Sequence, residues 1–101
     1  QLTPHYGAAA QMLLLQLEML AAVERTGEEP VLVIGAGIPA SWVSQPMRVR
    51  HIPTRLGTVD WGWDGQRMRV VVRGPRCAIR LGPAFPSGTS IDASFEAGGA
   101  L

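Results

Sequence analysis

Four groups of residues in this sequence have the chemistry or the spacing of a functional site. Asp60 and Asp64 are a carboxylate pair. Glycosidic-bond hydrolysis needs such a pair, one group to donate a proton and the other to attack or to activate water. Trp61 and Trp63 stand two residues apart. On a strand they share one face and form a short aromatic row that can stack on sugar rings. Gly35-Ala36-Gly37-Ile38-Pro39-Ala40 fits the G-x-G-x-x-G/A spacing of a dinucleotide loop, after the apolar run Val31-Leu32-Val33-Ile34. An acidic residue, Asp60, follows at the distance expected of a ribose partner. Cys77, His5 and His51 are the nucleophilic or metal-ligating side chains.

The elements that would position these residues remove most of the chemistry. Thr58–Trp63 and Gln66–Arg73 alternate apolar and polar residues on either side of Asp64-Gly65. Asp-Gly between alternating strands predicts a two-residue type I′ hairpin turn. That turn sets Trp63 opposite Gln66, Trp61 opposite Met68 and Val59 opposite Val70. Asp60 then faces Arg69, and Gly62 faces Arg67. Asp64 belongs to the turn and Asp60 to an ion pair, so neither is assigned to catalysis. Trp61 and Trp63 share their face with Met68 and Val70 and read as core, with sugar stacking as the alternative. Trp42 reads as a loop anchor.

A dinucleotide loop needs a long helix after its glycines, to bring an N-terminus to the pyrophosphate and to cross back to a parallel strand. Pro46 leaves no room for one. The glycines therefore read as a tight turn. His5 and His51 lack a partner at ligand spacing, so no metal site is assigned. Cys77 is the single cysteine, which excludes an internal disulfide, and its alternation with Ile79 and Leu81 reads as a small buried apolar residue. No catalytic, cofactor-binding or metal-binding residue is assigned anywhere.

Upstream, Thr3-Pro4 has the form of a helix start and Gly27 that of a stop, predicting a helix over residues 4–25. Gln11, Glu18 and Arg25 form one narrow polar stripe. Met12 to Val23 cover most of the remaining circumference with apolar side chains. Leaving about four large apolar side chains in water forfeits roughly 6–12 kcal/mol. Such a helix implies partners beyond this chain, or self-association through residues 12–23.

With 101 residues and a net charge of +1, the chain has the size of one small domain and no strong electrostatic drive towards nucleic acid or anionic membrane. All nine basic residues are arginines. Arg67, Arg69 and Arg73 line one strand face with Arg48 and Arg50 near it. That face reads as solvated or as a domain interface, since no aromatic residues interleave. The start of the chain shows no signal-peptide pattern, and Gln16 and Glu18 interrupt a run already short for a membrane span. The compartment stays open.

Two segments together carry a family resemblance: TPHYGAAAQMLLLQLEML, and LVIGAGIPASWVSQPMRVRHIPTRLGTVDWGWDG. The pairing resembles the C-terminal end of bacterial (α/α)6-toroid, or six-hairpin, glycoside hydrolases. There a late toroid helix leads into a small β domain with a G-I-P-x-x-W turn and a V-x-x-L/I-P-T-x-x-G loop. The matches are Gly37, Ile38, Pro39 and Trp42, then Val49, Ile52, Pro53, Thr54 and Gly57. The resemblance implies a parent enzyme whose catalytic carboxylates lie upstream, and it transfers no catalytic residue to this chain. The expected fold is α+β: one long N-terminal apolar helix, followed by a small antiparallel β-sandwich or half-barrel of five to seven short strands. The expected division is a terminal toroid helix and linker over 1–29 and a β accessory domain over 30–101. The expected role is a non-catalytic accessory segment that stabilises the toroid. The alternative is an independent carbohydrate-binding or protein-interaction module using Trp61 and Trp63.

Overall fold

The computed structural model describes residues 17–25 and 27–96. They form seven strands: β1 (Ala21–Arg25), β2 (Pro30–Ile34), β3 (Met47–Thr54), β4 (Gly57–Trp63), β5 (Arg67–Arg73), β6 (Ala78–Leu81) and β7 (Ser90–Glu96). A 3₁₀ turn, Ala40–Ser44, separates β2 from β3. The first sheet has the order β1-β2-β6 and the second β3-β4-β5-β7. Each sheet contains one parallel pair, β2 with β6 and β5 with β7, among otherwise antiparallel neighbours. The expected all-antiparallel β domain is corrected on this point. After Gly74-Pro75 the chain leaves the second sheet for the first, and a strand that switches sheets is free to enter in either sense.

The long helix is the larger correction. Residues 17–20 are the only α-helical ones among those described, and the next five are strand. The Ala-Ala-Val-Glu-Arg segment has fair helical propensity and no two-residue alternation, so nothing local marks it as a strand. Full antiparallel pairing with β2, from Ala21↔Ile34 to Arg25↔Pro30, decides in favour of strand. Gly27, expected as a helix stop, instead makes the bend of this hairpin at φ +147°. Since β1 and β2 pair across the expected boundary at residue 29, that division does not separate the described residues. Leu17, Leu20 and Val23 pack against the β core, which therefore covers part of the surface assigned to missing partners. The expected helix over residues 4–16 lies outside the described residues. No helix among the described residues is long and apolar enough to cross a membrane.

The two sheets share one core. Leu32 and Ile34 come from the first sheet, and Ile52, Val59, Trp61, Trp63, Met68, Val70 and Val72 from the second. Val31-Leu32-Val33-Ile34 reads as doubly buried because β2 is the central strand of its sheet. Phe85, from the loop between β6 and β7, sets its ring edge-on against both Trp61 and Trp63. Gly35 makes room for it, since a Cβ there would lie 2.6 Å from the Phe85 ring.

Candidate ligand-binding surface

Strand alternation sorts β4 and β5 into two faces. Val59, Trp61, Trp63, Met68, Val70 and Val72 point into the core. Trp61 and Trp63 are each 2% exposed. Their indole N–H groups donate to the carbonyls of Leu20 at 3.0 Å and Val43 at 2.8 Å. Both rings are enclosed and both polar ends are occupied, so the sugar-stacking alternative loses its platform. Trp42, expected as a loop anchor, stands on the 3₁₀ turn and is 47% exposed.

The hairpin register differs from the expected one by two residues. Trp63 pairs with Met68, Trp61 with Val70, Val59 with Val72 and Gly62 with Arg69. The cause is the Asp64 side chain. Its Oδ1 accepts the backbone N–H groups of Gln66 at 2.8 Å and Arg67 at 2.7 Å. Asp64 thereby becomes the first corner of the turn, and Gly65, at φ +103°, and Gln66 form its tip. Backbone N–H groups of Arg67 and Gln66 hold the Asp64 carboxyl below the ordinary carboxylate range.

The slip also changes the partner of Asp60. Its Oδ2 lies 3.4 Å from the Arg73 guanidinium, in place of the expected Arg69, and Arg73 also reaches Glu96 at 3.6 Å. Asp60 Oδ1 accepts the backbone N–H of His51 at 2.8 Å. His51 occupies a bulge between Val49 and Ile52 and has a φ of 60°, a left-handed conformation that a side chain resists. Its amide, with Arg73 as the second contributor, holds the Asp60 carboxyl below its usual range. Two carboxylates kept ionised and tied to backbone amides are the opposite of a glycosidase proton donor, whose pKa must be raised.

The glycine loop is closed to phosphate. Gly35 donates its N–H to the Leu20 carbonyl at 2.7 Å, and Gly37 donates to Met19 at 3.0 Å. The chain then enters a five-residue 3₁₀ turn, with no long helix to present an N-terminus. Cys77 precedes β6 and is half-buried, with its thiol pushed up by burial. His5 lies outside the described residues. Among the described residues, no three His, Cys, Asp or Glu side chains gather at one point.

The outer face of the second sheet is what remains. Gly62 sits at its centre, with Arg48 in register on β3 and Arg69 in register on β5. Arg50 and Arg67 extend the two rows, and all four arginines are exposed. Shallow grooves lined by Arg48, Gly62, Arg67, Arg69 and Asp92, and by Arg48, Arg50, Gly62 and Arg69, meet over the glycine. Sequence reading found the arginines but not their centre. The overlooked signal was a glycine inside an alternating strand. A scan against protein-family models finds no match, and comparisons with curated proteins and with solved structures find none.

Proposed function

We propose that this chain is a non-catalytic accessory β segment of a glycoside hydrolase-like protein, which stabilises a catalytic toroid carried by other residues of its parent. The observation that carries this reading is the commitment of Asp60 and Asp64 to the fold. Each carboxylate holds backbone amides in place, one at a bulge and the other at a turn. Neither is held in the protonated form that acid catalysis requires.

Ile38, Ile52, Thr54 and Gly57, four of the residues that carry the family resemblance, support the same reading because their work is structural; the exposed Trp42 does not. Ile38 and Ile52 are buried in or against the core. The Thr54 hydroxyl donates to the Gly57 carbonyl at 2.7 Å and accepts the Leu56 N–H at 3.1 Å, which closes the loop between β3 and β4. Gly57 takes φ +130° in that loop, and a Cβ there would overlap the Arg73 carbonyl. The family reading thus attaches to turns that shape a β domain.

Two measurements test the proposal. The chain alone, incubated with a panel of aryl glycosides, is expected to release no aglycone. Deleting residues 21–96, which removes both sheets whole, from the gene product that carries this chain is expected to lower its melting temperature by several degrees. The glycosidase activity of the fraction that remains folded should survive. Hydrolysis by the chain alone, abolished by Asp60→Asn, would overturn the reading. So would a gene product with no glycosidase activity.

A further inference from the structure

Gly62 is the one described glycine that the backbone does not require. Gly27, Gly35, Gly57, Gly65 and Gly88 have positive φ, and a Cβ at Gly37, Gly74 or Gly82 would overlap its neighbours. A Cβ at Gly62 would meet only the Met47 carbonyl oxygen, at 3.9 Å, an ordinary contact. Glycine in the interior of a paired strand costs about 0.5–1 kcal/mol relative to a residue with a side chain. A glycine inside a strand often marks a bulge, a tight bend or a place where another molecule approaches the backbone closely, and Gly62 has room for a Cβ.

What surrounds the gap defines the visitor. Neighbouring strands lie about 4.8 Å apart, so Arg48 and Arg69 flank Gly62 with their Cα atoms about 10 Å from each other and no side chain between them. Arg67 stands about 7 Å from Arg69 along β5. Among the described residues, no carboxylate lies within 4.0 Å of Arg48, Arg50, Arg67 or Arg69. The acidic groups on or beside this face are Asp60, Asp64, Asp92 and Glu96. Asp60 and Glu96 are engaged by Arg73. Asp92, in register with Arg69, and Asp64, whose turn amides hold it without cancelling its charge, line the groove with Arg48, Arg67 and Arg69 and are the two acids that compete for this face.

We propose that this face binds the carboxylate groups of an acidic polysaccharide, which lies across the Gly62 floor between the rows Arg48–Arg50 and Arg67–Arg69. The inference rests on the glycan-related reading above and names the substrate class that the accessory segment would hold. A guanidinium fork matches a carboxylate bidentately, and a bare backbone floor admits a flat, extended chain. A single-stranded nucleic acid is disfavoured. The outer face offers no aromatic side chain for bases to stack on, since both tryptophans of β4 point inward.

Affinity electrophoresis of the full chain in gels containing polygalacturonate tests this. Retardation is expected in polygalacturonate and not in its fully methyl-esterified form, which keeps the polymer and removes the charge. The pair Arg48→Gln and Arg69→Gln should weaken binding at least about tenfold, the equivalent of one charged hydrogen bond. Gly62→Thr is the decisive variant. It should keep or raise the melting temperature, because the site tolerates a Cβ, and still weaken binding about tenfold by filling the floor. Asp92→Asn should tighten binding. No retardation by polygalacturonate, equal retardation by the methyl ester, tighter binding of oligothymidylate, or a Gly62→Thr variant that binds normally would each overturn the inference. None of these touches the accessory role, which stands or falls on the hydrolysis and deletion measurements.

Discussion

The inner and outer faces of β4 and β5 are made by the same residues of chain, taken alternately, and they are under opposite constraints. Inward, Trp61, Trp63, Met68, Val70 and Val72 fill the space between two sheets, and every indole N–H has an acceptor. Outward, four arginines surround a glycine that nothing in the fold demands. Packing dictates the first set, and little structural pressure acts on the second. A residue choice that costs stability is therefore informative only on the outer face.

The comparison breaks most visibly from the inside. Trp61→Ala removes a fully buried ring, its edge contact with Phe85 and its hydrogen bond to Leu20. A loss of about 4 kcal/mol is expected in urea denaturation, a large part of what a small domain possesses. Gly57→Ala comes next. It places a side chain at φ +130° and against the Arg73 carbonyl, with an expected loss of about 3 kcal/mol. Gly62→Thr, towards the other end of the same strand, should lose nothing. If Gly57→Ala and Gly62→Thr proved equally damaging, the two glycines would not differ as their surroundings require.

The inner face was legible in the sequence because alternation has a period of two. A register slip of two residues, such as the one Asp64 imposes, leaves every side chain on its own face. Trp61, Trp63, Met68 and Val70 therefore stay together whichever turn is drawn. Cross-strand partners carry no such protection. Asp-Gly fits the tip of a two-residue turn, but an Asp that takes two backbone amides fits its first corner equally well. Only the folded chain decides between them. β1 was illegible for a different reason. Nothing local in its five residues marks a strand, and the decision lies with β2, a neighbour that local propensity does not include. The arginine face was half legible. Its charges alternate openly along β3 and β5, but that Gly62 lies between Arg48 and Arg69 depends on the register of three strands.

The smallest expected effect sharpens the comparison furthest, because it tests the register itself. If Asp60 pairs with Arg73, the double substitution Asp60→Asn with Arg73→Gln should cost less than the sum of the single changes, by at most about 1 kcal/mol for a pair this exposed. With Arg69→Gln in place of Arg73→Gln, the same cycle should be additive, although a turn centred on Asp64-Gly65 would have made Arg69 the partner. Asparagine keeps an oxygen for the His51 N–H, so the cycle reads charge and not the bulge. Acid supplies the control. The Asp60 carboxyl is lowered from its ordinary value of 3.8 in the folded chain. Its contribution is therefore complete above that value and is lost as pH falls through the folded one. Coupling to Arg73 should be constant around neutral pH and fade only below the ordinary range. Coupling to Arg73 that persists in strong acid would mean that the contact is not ionic, and coupling that appears with Arg69 instead would mean that the outer face is drawn in the wrong register. Arg48, Gly62 and Arg69 would then no longer form one row.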